Sequence, residues 1–172
     1  MFKKLFLLAV LAVFAFGAEA KVSLQELLAT PNNKTLLKQL GRENILSSKS
    51  EPDTQAIFFA SAKSKPELFY LIEFYKDEAA YKKHLSSAHF KKFASASAEI
   101  LASKKAISLK KRATFSKNLT PERLKDSYFH IANLSLVAKS DAKFEKIIKK
   151  YMQKSIDEGA YAQFAFSQKR RA

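Results

Sequence analysis

Two histidines, His84 and His89, lie five residues apart in the part of the chain with the clearest chemical signature. Imidazole titrates near neutral pH and can donate or accept a hydrogen bond, so either ring could move a proton or hold a substrate. On an unbroken helix the two rings would point roughly 140° apart and would not share a pocket. Ser87 could end one helix and cap the next, which would turn His89 inward. The simpler alternative is that both rings cap helix ends or face water.

Glu73 and Tyr75 precede the histidines on a predicted strand and share one of its faces, because side chains alternate along a strand. A buried carboxylate is costly unless it is paired, so Glu73 is either a functional group or half of an ion pair, and the ion pair is favoured. Nearby aromatic residues could form an apolar pocket for a flat molecule or could simply be core. They are Phe58, Phe69, Phe74, Phe90 and Phe93, of which Phe58, Phe90 and Phe93 are the substrate-binding candidates.

Several kinds of chemistry are excluded by the composition. The chain has no cysteine, which excludes disulfides, thiol nucleophiles and cysteine-ligated metals. With three glycines it has no glycine-rich phosphate loop, and no local signature suggests a Ser-His-Asp triad. The histidines lack the i, i+4 spacing with a third acidic ligand that marks a convincing metal site. We therefore expect no metal site.

The elements that would hold these residues follow a mixed α and β pattern. Leucines at helical spacing predict a helix over 35–48, although Gly41 weakens it, and Asp77 is a good N-cap for the helix that carries the histidines. Residues 22–30 should supply an opening strand but alternate poorly. Aromatic and β-branched runs predict further strands. These are Thr54–Ala62, Leu68–Tyr75 and Ala106–Phe115, with a helical continuation over Ser95–Ser103.

From residue 128 the pattern restarts, after a predicted linker over 117–127. The restarted part contains a predicted strand over His130–Ala138, a helix over Asp141–Ile156 and a strand over Ala160–Ser167. Such a half unit exposes an apolar helix face and unpaired strand edges, so it must pack on something. It either joins the sheet of the preceding unit as a built-in partner or is exchanged with a second chain.

The run from Glu73 to Phe93, E-x-Y-x-D-x-x-A-x-x-x-H-x-x-S-x-H-F-x-x-F, resembles the second half of an antibiotic biosynthesis monooxygenase (ABM) domain, the family that includes quinol monooxygenases. Ser50-Glu51-Pro52-Asp53-Thr54 resembles that family's Glu-Pro-Gly turn before its second strand, with Asp53 in place of the glycine. Together these motifs cover about residues 35–93. Residues 128–168 resemble the first half of a second such unit, including the turn glycine at Gly159.

The resemblance implies an α+β, ferredoxin-like fold that dimerises into a β-barrel, with an apolar pocket between sheet and helices. There a planar aromatic substrate would be oxidised without metal or flavin, so no cofactor is expected. His84 and His89 would orient or deprotonate the substrate, with Glu73 and Tyr75 in support. We expect a homodimer or an intramolecular pseudo-dimer. The haem-degrading branch has a tryptophan where His84 stands and its iron-binding histidine where Ala94 stands, which counts against haem degradation.

The N-terminus has the three regions of a secretory signal peptide, with lysines, an apolar run over 5–16 and a small-residue cleavage site after Ala20. The run of about 12 apolar residues is shorter than the roughly 20 that span a bilayer. We expect residues 1–20 to be removed without leaving a transmembrane anchor, and the protein to be periplasmic, or secreted where the cell has no outer membrane. The net charge is +15, but export and the scattered lysines argue against a nucleic-acid partner.

The sequence thus predicts an exported α+β protein with an ABM-like domain over 21–116 and a partial second unit over 128–172. It favours cofactor-independent oxidation of a quinol-like or polyphenolic molecule, since a phenol that loses its proton can pass an electron directly to oxygen. The alternative is a non-catalytic periplasmic binding or assembly module for an apolar or anionic ligand. The sequence leaves the choice between these two functions open.

Overall fold

A six-stranded antiparallel sheet organises the chain in a computed structural model that describes residues 8–11, 20–116, 130–132, 134–136, 140–160 and 162–168. The strands are β1 (Leu8–Leu11), β2 (Lys21–Ala29), β3 (Thr54–Ser61), β4 (Leu68–Tyr75), β5 (Leu101–Ser116) and β6 (Ala162–Gln168). The helices of the described residues are α1 (Lys34–Ser48), α2 (Glu78–Ser86), α3 (Ala88–Ala98) and α4 (Asp141–Asp157). Across the sheet the strand order is β1-β3-β4-β2-β5-β6.

The first three helices lie on one face of the sheet. Helices α1 and α3 pack against each other, and α2 contacts β3 and β4. Gly41 explains how closely α1 approaches the sheet, because a Cβ at this position would lie 2.3 Å from the ring of Phe59. The apolar core on this face contains Leu27, Leu37, Ile45, Ile57, Phe59, Phe69, Leu71 and Phe93. It provides the rigid base on which the histidine-bearing helices rest.

The opposite face of the sheet is filled by a second apolar cluster. Phe74 of β4 lies 4.9 Å, centroid to centroid, from Phe164 of β6, although two other strands separate β4 from β6 in the sheet. Neighbouring strands are spaced by about 4.8 Å, so a flat sheet could not bring these rings together. The sheet is therefore curled into a half-barrel. The cluster contains Val22, Ala56, Phe58, Ala60, Ile72 and Phe74, with Phe164 and Phe166 packed against it.

The predicted α+β, ferredoxin-like fold class is confirmed, and most elements lie where the sequence placed them. The predicted helix over 35–48 corresponds to α1, and the two predicted central strands correspond to β3 and β4, which pair with each other. In the C-terminal part, the predicted helix and last strand correspond to α4 and β6. Gly159 between them has φ +115°, a backbone conformation that favours glycine. Strand β6 pairs with β5 of the same chain, which is the first of the two packings left open.

Three local predictions differ from the structure. Residues 22–30 alternate poorly in sequence but form β2 in the middle of the sheet, because buried Ser23 and Gln25 occupy inward positions. The predicted helix over Ser95–Ser103 ends at Ala98, where the N–H of Ile100 bonds the carbonyl of Ser97 and closes the last turn. The predicted strand over 130–138 is not formed by the described residues 130–132 and 134–136. Strand β5 pairs with β2 over Leu101–Leu109 and with β6 over Leu109–Ser116.

The N-terminal segment contributes one strand to the described part of the molecule. Strand β1 lies inside the predicted signal peptide and pairs with β3 at the edge of the sheet. The other residues of 1–19, and the predicted linker over 117–127, lie outside the described residues. Cleavage after residue 20 and the division into domains therefore stay predictions. Among the described helices, none has the length and apolar character needed to cross a membrane.

Candidate active site

The predicted break between the two histidines is present and centres on Ser87. This residue has an extended backbone (φ −65°, ψ 151°) and separates α2 from α3. Its hydroxyl accepts a hydrogen bond from the N–H of Phe90 at 3.3 Å, and donates one to the carbonyl of His84 at 2.7 Å. The turn changes the direction of the chain, so the rings of His84 and His89 lie 5.5 Å apart, centroid to centroid. The two histidines therefore share one site.

Glu51 joins the two histidines from the turn between α1 and β3. Its Oε2 lies 2.9 Å from Nδ1 of His84, and its Oε1 lies 3.0 Å from Nε2 of His89. The hydroxyl of Thr54 donates a hydrogen bond to Oε2 at 2.6 Å and fixes the carboxylate. Sequence analysis did not select Glu51 as a site residue. The available signal was its place in the Glu-Pro turn motif.

His89 lies at the outer side of this cluster, with its side chain 21% exposed. The hydroxyls of Ser48 and Ser87 lie 3.3 Å and 3.2 Å from its Nε2. Partial burial lowers the pKa of His89, with a further contribution from the nearby charge of His84, whereas Glu51 acts in the opposite direction. The net effect favours a neutral imidazole.

Glu73 forms the inner end of the cluster and is fully buried. The Tyr75 hydroxyl donates a hydrogen bond to its Oε1 at 3.1 Å, and the Gln25 amide donates to its Oε2 at 3.4 Å. Burial raises the pKa of Glu73, and the nearby His84 together with these hydrogen bonds partly offsets that effect. Burial and the adjacent Glu73 raise the pKa of Tyr75 far above its ordinary value, so this hydroxyl stays a donor.

His84 lies between the two carboxylates and is almost completely buried. Its Nδ1 faces Glu51, whereas its Nε2 lies 3.7 Å from Oε1 of Glu73, beyond hydrogen-bond distance. Within the described residues this buried Nε2 has no hydrogen-bond partner. The rings of Phe90 and Tyr75 lie 4.9 Å and 5.3 Å from the imidazole. The predicted pair of Glu73 and Tyr75 therefore does lie beside the histidines.

The three phenylalanines predicted to bind substrate do not form one pocket. Phe90 contacts His84, and Phe93 belongs to the core on the helix face of the sheet. Phe58 lies on the opposite face, in the cluster with Phe74. Phe58 is separated from the histidines by the sheet, because neighbouring residues of β3 point to opposite faces and the face toward the helices is taken by Ile57 and Phe59.

A groove of about 270 Å³ lies between α1 and α3 and reaches the outer side of the cluster. Leu40, Leu46 and Phe93 supply apolar walls, and the polar lining residues are Glu43, Asn44, Ser47, His89 and Lys92. The Oδ1 of Asn44 is buried and has no hydrogen-bond partner among the described residues. His89 is the only predicted catalytic residue among the side chains that line this groove.

The cluster also contains a set of side chains that could hold a metal ion. Glu51, His84 and His89 each offer one ligand atom, and these atoms lie within 4.8 Å of one another. The spacing of the two histidines did not predict this cluster, because its acidic member is not near them in the sequence. The acidic third ligand comes instead from a turn more than thirty residues earlier.

Comparison with known proteins agrees with the fold. Residues 25–96 match the antibiotic biosynthesis monooxygenase family, and no curated protein matches the sequence. A proposed antibiotic biosynthesis monooxygenase from Bacteriodes thetaiotaomicron VPI-5482 is 26% identical, with a TM-score of 0.52 over 61% of this chain and 95% of that one.

Two larger proteins share the fold over part of their length. A proposed monooxygenase from Lactobacillus acidophilus NCFM has a TM-score of 0.54 at 16% identity, and one from Fusobacterium nucleatum has 0.55 at 18%. Each match covers 59% of this chain but only 47% and 46% of those proteins, so the chain spans about half of their length. The match over residues 25–96 identifies this part of the chain as a domain of the antibiotic biosynthesis monooxygenase family.

Proposed function

We propose that this protein is a monooxygenase that oxidises a small quinol-like or polyphenolic molecule without a flavin or metal. The observation that carries the proposal is the position of His89, whose imidazole borders the groove between α1 and α3 while Glu51 and two serine hydroxyls hold it in place. A general base needs this combination of access and fixed orientation.

The proposed chemistry begins with transfer of the substrate's phenolic proton to His89. The resulting phenolate is electron-rich and can pass an electron directly to oxygen, so a base in an apolar environment suffices for the first step. The role of His84 and Glu51 is to orient His89. Glu73 and Tyr75 are too deeply buried to touch a molecule in the groove. Their role is to position His84 from the core side of the cluster.

The groove favours a small, flat molecule that carries hydroxyl groups. Its volume of about 270 Å³ is just below the ~300–1,000 Å³ of sites for drug-sized ligands. Three apolar side chains line it, and His89 at its wall can take the proton of a substrate hydroxyl.

A non-catalytic binding or assembly module is the second candidate function. It is favoured by the packing of the sheet's other face, where Phe58, Phe74, Phe164 and Phe166 fill the inside of the half-barrel. In this candidate the groove holds an apolar or anionic ligand without changing it. The two candidates differ in whether oxygen is consumed.

We also propose that the protein is exported with cleavage after Ala20, and that it acts as a homodimer or an intramolecular pseudo-dimer. Pairing of β6 with β5 supports the pseudo-dimer, since the C-terminal part then completes the sheet of its own chain. Cleavage would remove β1 and leave β3 as an edge strand that a second copy could cover.

Oxygen uptake tests the proposed function. Chelator-treated protein is supplied with a panel of reduced quinols, beside the variants His89→Ala, His84→Ala and His130→Ala. We expect His89→Ala to lower kcat by about 10²–10⁴-fold, as for loss of a general base. His130 is exposed and is not one of the clustered residues, so His130→Ala should leave the rate unchanged. Rates equal to buffer for the unaltered protein would instead support the binding module.

A further inference from the structure

We propose that Glu51, His84 and His89 bind one divalent transition-metal ion. The ligand atoms are Nδ1 of His84, Nε2 of His89 and the carboxylate of Glu51, and they lie within 4.8 Å of one another. This proposal goes beyond the proposed oxidation and does not depend on it. An ion on Nε2 of His89 would, however, replace the contact with Glu51 that orients this imidazole for the oxidation, so the two activities belong to different states of one site.

The distances are close to those of a loaded site. Metal–nitrogen and metal–oxygen bonds of about 2.0–2.2 Å place the ligand atoms of a tetrahedral ion roughly 3.3 Å apart. The carboxylate oxygens of Glu51 already lie 2.9 Å and 3.0 Å from the two imidazole nitrogens. All three ligand atoms lie within 4.8 Å of one another, so binding requires the two imidazoles to draw closer together around the ion.

The unpartnered Nε2 of His84 is the independent observation that points to a metal. In a neutral imidazole that donates its Nδ1 proton to Glu51, Nε2 presents a lone pair toward the carboxylate of Glu73, 3.7 Å away. A metal on Nδ1 moves the proton to Nε2, where it faces Glu73. Histidine ligands in metalloproteins usually donate their second N–H to such a carboxylate.

Further hydrogen bonds hold the two carboxylates around the site in place. Glu73 is held by the hydroxyl of Tyr75 and the amide of Gln25, and Glu51 is held by the hydroxyl of Thr54. Ligands that are fixed by outer hydrogen bonds lose little freedom when the ion binds. His89 borders the groove, which gives an ion and a water ligand a path to the site.

The donor set indicates the class of ion. Two imidazoles and one carboxylate suit zinc, cobalt, nickel or ferrous iron, whereas calcium and magnesium prefer oxygen ligands alone. Three protein ligands leave further positions open, as in sites that bind water or a substrate. We therefore choose Co²⁺ and Zn²⁺ as probes, since Co²⁺ reports its coordination by visible absorption.

The test is calorimetric titration of chelator-treated protein, without a polyhistidine tag, with Zn²⁺ and with Co²⁺. We expect one ion per chain and a visible absorption band with Co²⁺. Glu51→Gln and His89→Ala should each weaken the Kd by more than about tenfold, and Glu73→Gln by about 10–100-fold through His84. His130→Ala removes the third histidine of the chain, lies outside the cluster, and should leave the Kd unchanged.

His89 is partly exposed, so its replacement should leave the fold intact, and thermal melting of each metal-free variant checks this. Absence of saturable binding, or equal affinity in Glu51→Gln and His130→Ala, would overturn the proposal. The metal titration contains no quinol, so its result does not depend on whether the protein consumes oxygen. The oxygen-uptake assay uses chelator-treated protein, so its result does not depend on metal binding.

Discussion

At the scale of single residues, the site is a chain of alternating acids and bases that runs from the core to the groove. Glu73 is fully buried, His84 follows, and Glu51 then connects His84 with the partly exposed His89. A buried charge is tolerated only when its partners are held in place, and each of the two carboxylates accepts a hydrogen bond from a neighbouring hydroxyl. Loss of one of these hydrogen-bond donors should therefore lower the stability of the folded protein.

The substitution Tyr75→Phe tests this expectation at Glu73, the buried end of the cluster. The substitution removes the hydroxyl that donates to Oε1 of Glu73 but keeps the ring in the core. We expect a loss of about 1–3 kcal/mol in the free energy of unfolding, because Glu73 cannot replace this donor with water. Urea unfolding measures the change, with Tyr151→Phe on the exposed surface of α4 as the control. Equal stability of both variants would show that Glu73 does not need the hydroxyl.

At the scale of elements, the break at Ser87 determines whether the histidines meet. Helix α2 brings His84 to the buried side of the site, and α3 starts in a new direction that brings His89 alongside it. The hydroxyl of Ser87 stabilises both ends, since it bonds the carbonyl of His84 and the N–H of Phe90. One side chain thus ends one helix and begins the next.

Ser87→Ala should remove both of these hydrogen bonds. We expect a loss of about 1 kcal/mol in the free energy of unfolding, as for other N-cap serines. Ser86→Ala is the matched control, because the exposed Ser86 hydroxyl bonds only the carbonyl of Lys83 within its own helix. Its effect should stay within about 0.5 kcal/mol. Urea unfolding measures the free energy of unfolding of both variants. An equal loss of stability in both would contradict the capping role of Ser87.

Local sequence patterns predicted the elements better than the site. The helix over 35–48, the central hairpin and the break at Ser87 all follow from signals within a few residues. The sequence of β2 lacks the usual alternation of apolar residues, because Ser23 and Gln25 occupy two of its buried positions. Both side chains form hydrogen bonds with Glu73 there. Glu51 was missed because the fold brings it to the histidines from a distant turn, which no local spacing records.

At the scale of the whole molecule, the C-terminal part completes the fold of its own chain. Strand β6 extends the sheet beside β5, and the curl of the sheet brings Phe164 against Phe74 and Phe58. The half unit that the sequence left without a partner is thereby covered. Because β6 already pairs within its own chain, this sheet has no need to exchange that strand with a second copy.

Phe164→Ala tests whether this packing lies within one chain. Removing a partly buried phenylalanine ring should cost about 2–4 kcal/mol in the free energy of unfolding, because it leaves a cavity beside Phe74. Leu134→Ala is the control, since this leucine is 59% exposed and outside both core clusters. Urea unfolding is measured at two protein concentrations.

Within one chain, the unfolding midpoint of the Phe164→Ala variant should fall without any dependence on protein concentration. If β6 were exchanged between two chains, unfolding would include dissociation, and the midpoint would rise with concentration for the unaltered protein as well. If the C-terminal part formed a separate unit, the variant would show a second, earlier transition while the rest stayed folded. A single transition that shifts equally at both concentrations is the result expected from a core shared by β4 and β6, because loss of one ring then weakens the whole half-barrel.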